Sequence, residues 1–212
     1  SKKIIETYSK WTNNLILNSK ELFKELGSHY LNLNKKIDEI KYSNNDSILI
    51  LSSKLNQILN ICVESGVIPF SIHARCGFIA LQILESLLDQ KIISKNDYDN
   101  FLKNIPTISS KFSLDLNDFL NKKITKKIFI KRFGHLRPST YDMSSKNYEN
   151  MISESFFNKN FSNINASKSK LTIAKKIWEK NNIKILKKLK SENFDVNQLE
   201  LFNFLTKSIQ GR

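Results

Sequence analysis

The 212-residue chain is poor in the residues that punctuate or staple a fold, with 5 Gly, 3 Pro and 2 Cys. So little glycine and proline excludes collagen-like and low-complexity classes. Cys62 and Cys76 have no CxxC spacing, which excludes a disulfide framework and reads as two free thiols. Long apolar runs are missing as well: no stretch approaches the ~18–20 residues that span a bilayer. The opening SKKIIETYSKW has neither an apolar core nor a small-residue cleavage site, so it does not read as a signal peptide. The expected location is therefore cytoplasmic, with no membrane partner. Acid is scarce, 20 Asp and Glu standing against 34 Lys and Arg to leave a net charge of +14. Arginine is scarcer still. Only 4 of the 34 basic residues are Arg, beside 25 Asn and 27 Ile, which fits an AT-rich coding sequence better than a nucleic-acid-binding surface. Each arginine then marks a place where a planar fork of donors matters.

What the chain does have is helical periodicity. Trp11, Leu15, Leu22, Phe23 and Leu26 keep the three-and-four spacing of a buried stripe, with Gly27 expected to end that helix. Further helices are expected over 30–40, from Asp46 as N-cap to about Cys62, and from Ser71 to about 90. Pro69 is expected to break the chain before Ser71, because it lacks a donor and restricts Ile68. Ser94 with Asp97 resembles a capping box. Helices follow over 109–120, 125–133 and 167–190, and a last one is opened by Asp195 and Gln198, while 158–165 reads as irregular. The expectation is an all-α fold, an irregular single helical domain over 1–212 with about eight to nine helices. Its final residues run amphipathic to the end, as in a piece of a longer chain.

Several engines of chemistry are missing. The five glycines are far apart, so there is no phosphate loop, and His29, His73 and His135 form no HExxH or paired-Cys metal pattern. No metal site and no cofactor are expected in this chain. Placement of the rare residues is uneven, however. Two of the histidines and two of the arginines sit in His73-Ala74-Arg75 and His135-Leu136-Arg137. The first opens a helix whose N-terminal donors suit an anion, with Arg75 as a bidentate grip on carboxylate or phosphate. In the second, GHLRPSTYD gathers His135, Arg137, Thr140, Tyr141 and Asp142 behind Gly134, expected to permit an unusual turn, and a stiffening Pro138. This is the make-up of a binding loop over 134–145. Both segments are expected to meet in one basic pocket. Set against that reading are an Arg75–Asp142 lock of purely structural value, and core roles for His73 and Cys76. The lysines of the 167–190 helix read as a solvated face.

The run KRFGHLRPSTYDMSSKNYENM (131–151) resembles a motif of phosphoenolpyruvate-synthase-like phosphotransferases, close to "YGHLRPGTYDI…RY". The stretch ARCGFIALQILESLLDQKIIS (74–94) is similar to that family's "ARxxFIAxxxLxSL…G.IS", and the TIS at 107–109 also agrees. Ser139 stands where the family pattern has Gly, and Lys146–Tyr148 replaces an Arg-containing turn. The resemblance implies a central acceptor-binding domain between an ATP-grasp-like domain and a phosphohistidine domain of the same parent chain, which would bring ATP and Mg. SIHARCGFIA lacks the Gly-Gly of the phosphohistidine motif, so His73 is not the phosphocarrier.

Composition and the LRPSTYD form are most similar to the L-glutamine kinase branch, which serves capsule phosphoramidate biosynthesis. Its reaction converts ATP, L-glutamine and water to AMP, phosphate and L-glutamine phosphate. By this resemblance Arg75, Arg137, Thr140, Tyr141 and His73 would bind a small-molecule acceptor, and His135 and Asp142 would be catalytic, while the isolated piece would be inactive. Two readings of other classes stand beside it: a basic helical nucleic-acid-binding module, and a structural spacer between catalytic domains.

Overall fold

A computed structural model describes residues 2–138, Asp142, 144–151 and 170–211, and every element among them is helical. The all-α expectation holds: no strand occurs among the described residues. In chain order the helices are α1 (Lys2–Leu17), α2 (Ser19–Asp38), α3 (Ile48–Cys62), α4 (Ile68–Asp89), α5 (Lys95–Lys103), α6 (Ile108–Leu120), α7 (Lys126–Phe133), α8 (Tyr148–Met151), α9 (Leu171–Ser191) and α10 (Gln198–Gln210). The expected irregular segment 158–165 and the Ser167 start of the basic helix lie outside the described residues.

Many helix starts are written locally. Ser47, Thr107, Thr125 and Asn197 each accept a hydrogen bond from the backbone N–H three residues on, satisfying a donor that the helix cannot. Ser94 likewise accepts from the Asp97 N–H at 3.0 Å. Two starts differ from expectation by a residue or two. Asp46 yields the cap of α3 to Ser47, because its own carboxylate is taken by Ser43 N–H and Lys54 Nζ. Asp195 yields the start of α10 to Asn197, whose pairing with Glu200 closes a reciprocal capping box. The helix ends are unusual for a chain short of glycine. Lys91, Lys122 and Asn193 take the left-handed conformation (φ 56°, 59° and 60°) that glycine normally occupies past α4, α6 and α9.

Gly27 does not end a helix: α2 continues through it to Asp38, and the break falls at Asn18 instead. Pro69 does not break one either. A π-helical turn, Val63–Val67, joins α3 to α4, and Ile68 N–H reaches back five residues to the Val63 carbonyl. In a regular α-helix the Pro69 ring would crowd the Ser65 carbonyl; the wider π turn relieves that crowding and lets the helix go on. The continuous run Ile48–Asp89 is consequently long and apolar enough, by length and composition, to cross a membrane, and 28% of its most apolar window is buried. Cutting the run at Pro69 is what hides it from the sequence.

The chain divides into two compact units, one of residues 1–102 and 172–212 and the other Lys103–Leu171. In the first, α10 is the central helix. It packs along α4 and also touches α1 and α2, burying Leu201, Phe202, Phe204, Leu205 and Ile209. Each such side chain contributes about 1.5–3 kcal/mol by leaving water. Phe101 of α5, Trp178 of α9 and Phe202 form an aromatic cluster with centroids 5.9–6.2 Å apart. Asp97, buried beside them, accepts from Lys180 Nζ at 3.2 Å and Asn181 Nδ2 at 3.3 Å, tying α5 to α9. Burial works to raise its carboxyl, but hydrogen bonds from Lys180, Asn181 and Ser94 outweigh it and hold the group below the usual carboxylate range. Cys76 is a core side chain whose thiol burial pushes up, as its apolar surroundings on α4 require.

The second unit is built on aromatic packing. Leu116, Phe129, Phe133 and Tyr148 form its core, with Phe112 and Phe119 packed against them. Arg132 of α7 pairs with Asp115 of α6 at 2.7 Å. The loop of interest leaves this core at Phe133 and returns to it at Tyr148.

Candidate functional site

The loop after α7 is clasped at its base. Tyr148 N–H donates to the Leu136 carbonyl at 2.9 Å and Glu149 N–H to the Gly134 carbonyl at 3.1 Å, so both ends are held together. Leu136 packs on the aromatic core, which anchors the loop from below. Gly134 serves closeness rather than an unusual turn. Its backbone is right-handed (φ −57°, ψ −32°), correcting the expected role. A Cβ there would lie 2.6 Å from the Ile130 carbonyl oxygen and 3.3 Å from the Glu149 Cβ.

On this base Arg137 is exposed but fixed: its Nε donates to the Ser145 carbonyl at 2.9 Å. That bond engages Nε; the two terminal nitrogens carry the other four N–H donors of the guanidinium. Asp142, also exposed, takes its hydrogen bonds from Ser144, at 2.9 Å from the backbone N–H and 2.6 Å from Oγ. These two bonds, with the Arg137 charge as a lesser contribution, hold its carboxyl below the usual range. Those bonds tie the carboxylate to Ser144, two residues on. His135 is exposed as well. Thr140 and Tyr141, expected to bind substrate, and Ser139 lie outside the described residues.

His73 and Arg75 belong to the first unit, and their surroundings differ from expectation. They do not open a helix. The π turn feeds α4 from α3, so the backbone donors ahead of His73 are spent within the helix and offer no anion site. Arg75 is exposed on α4, whereas His73 is half-buried. The His73 Nε2 lies 3.1 Å from the Lys207 carbonyl oxygen, and its ring packs on Phe23 with centroids 5.1 Å apart. The imidazole borders a cavity of about 690 Å³ that Lys20, Lys24 and Lys207 also line. Those lysines were not singled out by the sequence. The i, i+4 placement of Lys20 and Lys24 on α2 is the faint signal that could have found them, but Lys207 comes from α10 and joins only through the fold.

No family model matches the chain, and no curated protein or solved structure matches it either.

Proposed function

We propose that the chain is the acceptor-binding part of an ATP-dependent, phosphohistidine-relay kinase of the phosphoenolpyruvate-synthase-like type, with L-glutamine as acceptor. The observation that carries this reading is the Arg137–Ser145 bond. It presents a fixed guanidinium on a clasped, exposed loop, the arrangement that bidentate recognition of a carboxylate or phosphate needs. In the proposed reaction ATP, L-glutamine and water become AMP, phosphate and L-glutamine phosphate. Arg137 holds the acceptor carboxylate or the charge that develops on the transferring group. His135, two residues away, takes the proton that the amide nitrogen loses as the new N–P bond forms. Asp142, already a stabilised carboxylate, orders the turn. Thr140 and Tyr141 belong to the same loop in sequence, and Arg75 is a second exposed guanidinium. ATP and Mg belong to the nucleotide domain of the parent, and the phosphoryl-carrying histidine to another domain.

The test is a phosphorus-NMR assay of the complete kinase with ATP, Mg and a panel of amino acids. A nitrogen-linked phosphorus signal together with AMP on L-glutamine alone is the expected outcome. AMP formed whatever the amino acid overturns the glutamine assignment, and an Arg137→Ala variant of full activity overturns the role of the loop.

A further inference from the structure

The cavity beside α2, α4 and α10 of the first unit has the features of a ligand site independent of the 134–148 loop. Its volume, about 690 Å³, is in the range of small-molecule sites. Its charge is one-sided. Lys20, Lys24 and Lys207 line it against a single acid, Glu21, and no ion pair of these lysines occurs among the described residues. Lys20 and Lys24 stand one turn apart on α2, where like charges disfavour one another, and Glu21 between them offsets only part of that charge.

His73 supplies direction. The Lys207 carbonyl oxygen can only accept, so the ring nitrogen 3.1 Å from it, Nε2, is the one that carries the proton. In the neutral ring Nδ1 then presents a lone pair. Phe23 packs on one side of the imidazole. Gly211 closes against it so tightly that a Cβ there would sit 2.0 Å from Nε2.

We infer that this cavity binds a small oxyanion, a carboxylate or phosphate that also carries an O–H or N–H, with Lys20, Lys24 and Lys207 holding the charge and His73 Nδ1 accepting the hydrogen bond. Lysine suits this as a flexible point charge, satisfied by either anion. The site requires nothing of Arg137, so its failure leaves the loop reading untouched, and the reverse also holds.

Imidazole nitrogen NMR of the 212-residue chain tests the inference, with inorganic phosphate, acetate and sodium chloride titrated separately at constant ionic strength. Hydrogen phosphate carries both the charge and the O–H donor. The expected result is a saturable shift of the His73 Nδ1 resonance with phosphate and none with chloride. Acetate carries the charge without an O–H, so a response to hydrogen phosphate well above that to acetate is expected, and an equal response to the two overturns the role of His73 Nδ1. Lys20→Gln, Lys24→Gln and Lys207→Gln should each weaken the apparent phosphate affinity roughly two- to five-fold, while Lys95→Gln, outside the cavity, leaves it unchanged. A His73 signal that does not move with phosphate, or moves alike with chloride, overturns the inference, as do lysine variants of unaltered affinity.

Discussion

Arg137 Nε donates to the Ser145 carbonyl at 2.9 Å, joining two residues eight positions apart in the second unit. That bond engages Nε, and the two terminal nitrogens carry four further N–H donors. Replacing Arg137 by Lys keeps a positive charge but loses both the anchor and the fork. Arg137→Lys should therefore weaken binding of a carboxylate or phosphate ligand about tenfold, the loss of one charge-assisted hydrogen bond, with stability within about 0.5 kcal/mol because the residue is exposed. Calorimetric titration beside a thermal melt measures both. Unchanged affinity would remove Arg137 from the site.

Gly134 is expected to tolerate no side chain. Its missing Cβ would meet the Ile130 carbonyl oxygen, a backbone atom that cannot swing aside. Gly134→Ala should cost about 1–3 kcal/mol, the usual range for forced overpacking. Urea unfolding of the variant against the parent reads this directly, and a difference under half a kcal/mol would show that the clasp can relax.

The acidity of Asp142 rests on Ser144. Both bonds from that residue favour the charged carboxylate, so the folded group titrates below its ordinary value. Ser144→Ala keeps the backbone donor and removes the hydroxyl. It should move the Asp142 titration upward, towards the ordinary carboxylate range, in a carboxyl-carbon NMR titration. An unmoved midpoint would mean that the hydroxyl bond is not formed in solution.

Asp97 couples acid stability to the joint between α5 and α9. Its folded carboxyl titrates below the unfolded value of about 3.9. Its contribution is thus fully present above that value and is lost as pH falls through the folded one. Asp97→Ala removes the acceptor of Lys180 and Asn181 and should cost about 1–3 kcal/mol at neutral pH. The gap between parent and variant should narrow as urea unfolding is repeated towards pH 3. A gap that stays constant with pH contradicts the assignment.

Lys122 offers a stabilising change. Its φ of 59° costs a side-chain-bearing residue roughly 1 kcal/mol that glycine escapes. Lys123 N–H reaches back to the Asp118 carbonyl at 2.8 Å, so the end of α6 depends on that left-handed turn. Lys122→Gly should raise the unfolding free energy by about 0.5–1 kcal/mol; a melting temperature at or below that of the parent would show that the lost side chain matters more than the relieved backbone.

The sequence by itself determined the helical class and many helix starts, because these depend on residues no more than four positions apart. Ser94, Thr107 and Thr125 stand directly before a helix and cap it as their chemistry dictates. Local signals misled where a competing neighbour intervened: Asp46 spends its carboxylate on Lys54, and Pro69 is accommodated by a π turn whose extra residue no periodicity announces. The loop after α7 could be read from Gly134 and Pro138 standing close together in the sequence, whereas the use of Gly134 depends on Glu149 returning beside it. Tertiary structure alone decided the rest. His73 meets the carbonyl of Lys207 from 134 residues away, and Asp97 finds Asn181 at a separation of 84. Such pairs form because burying the apolar faces of α4, α5, α9 and α10 sets where the backbones lie, and a polar group inside must pair with whichever partner that packing places within reach.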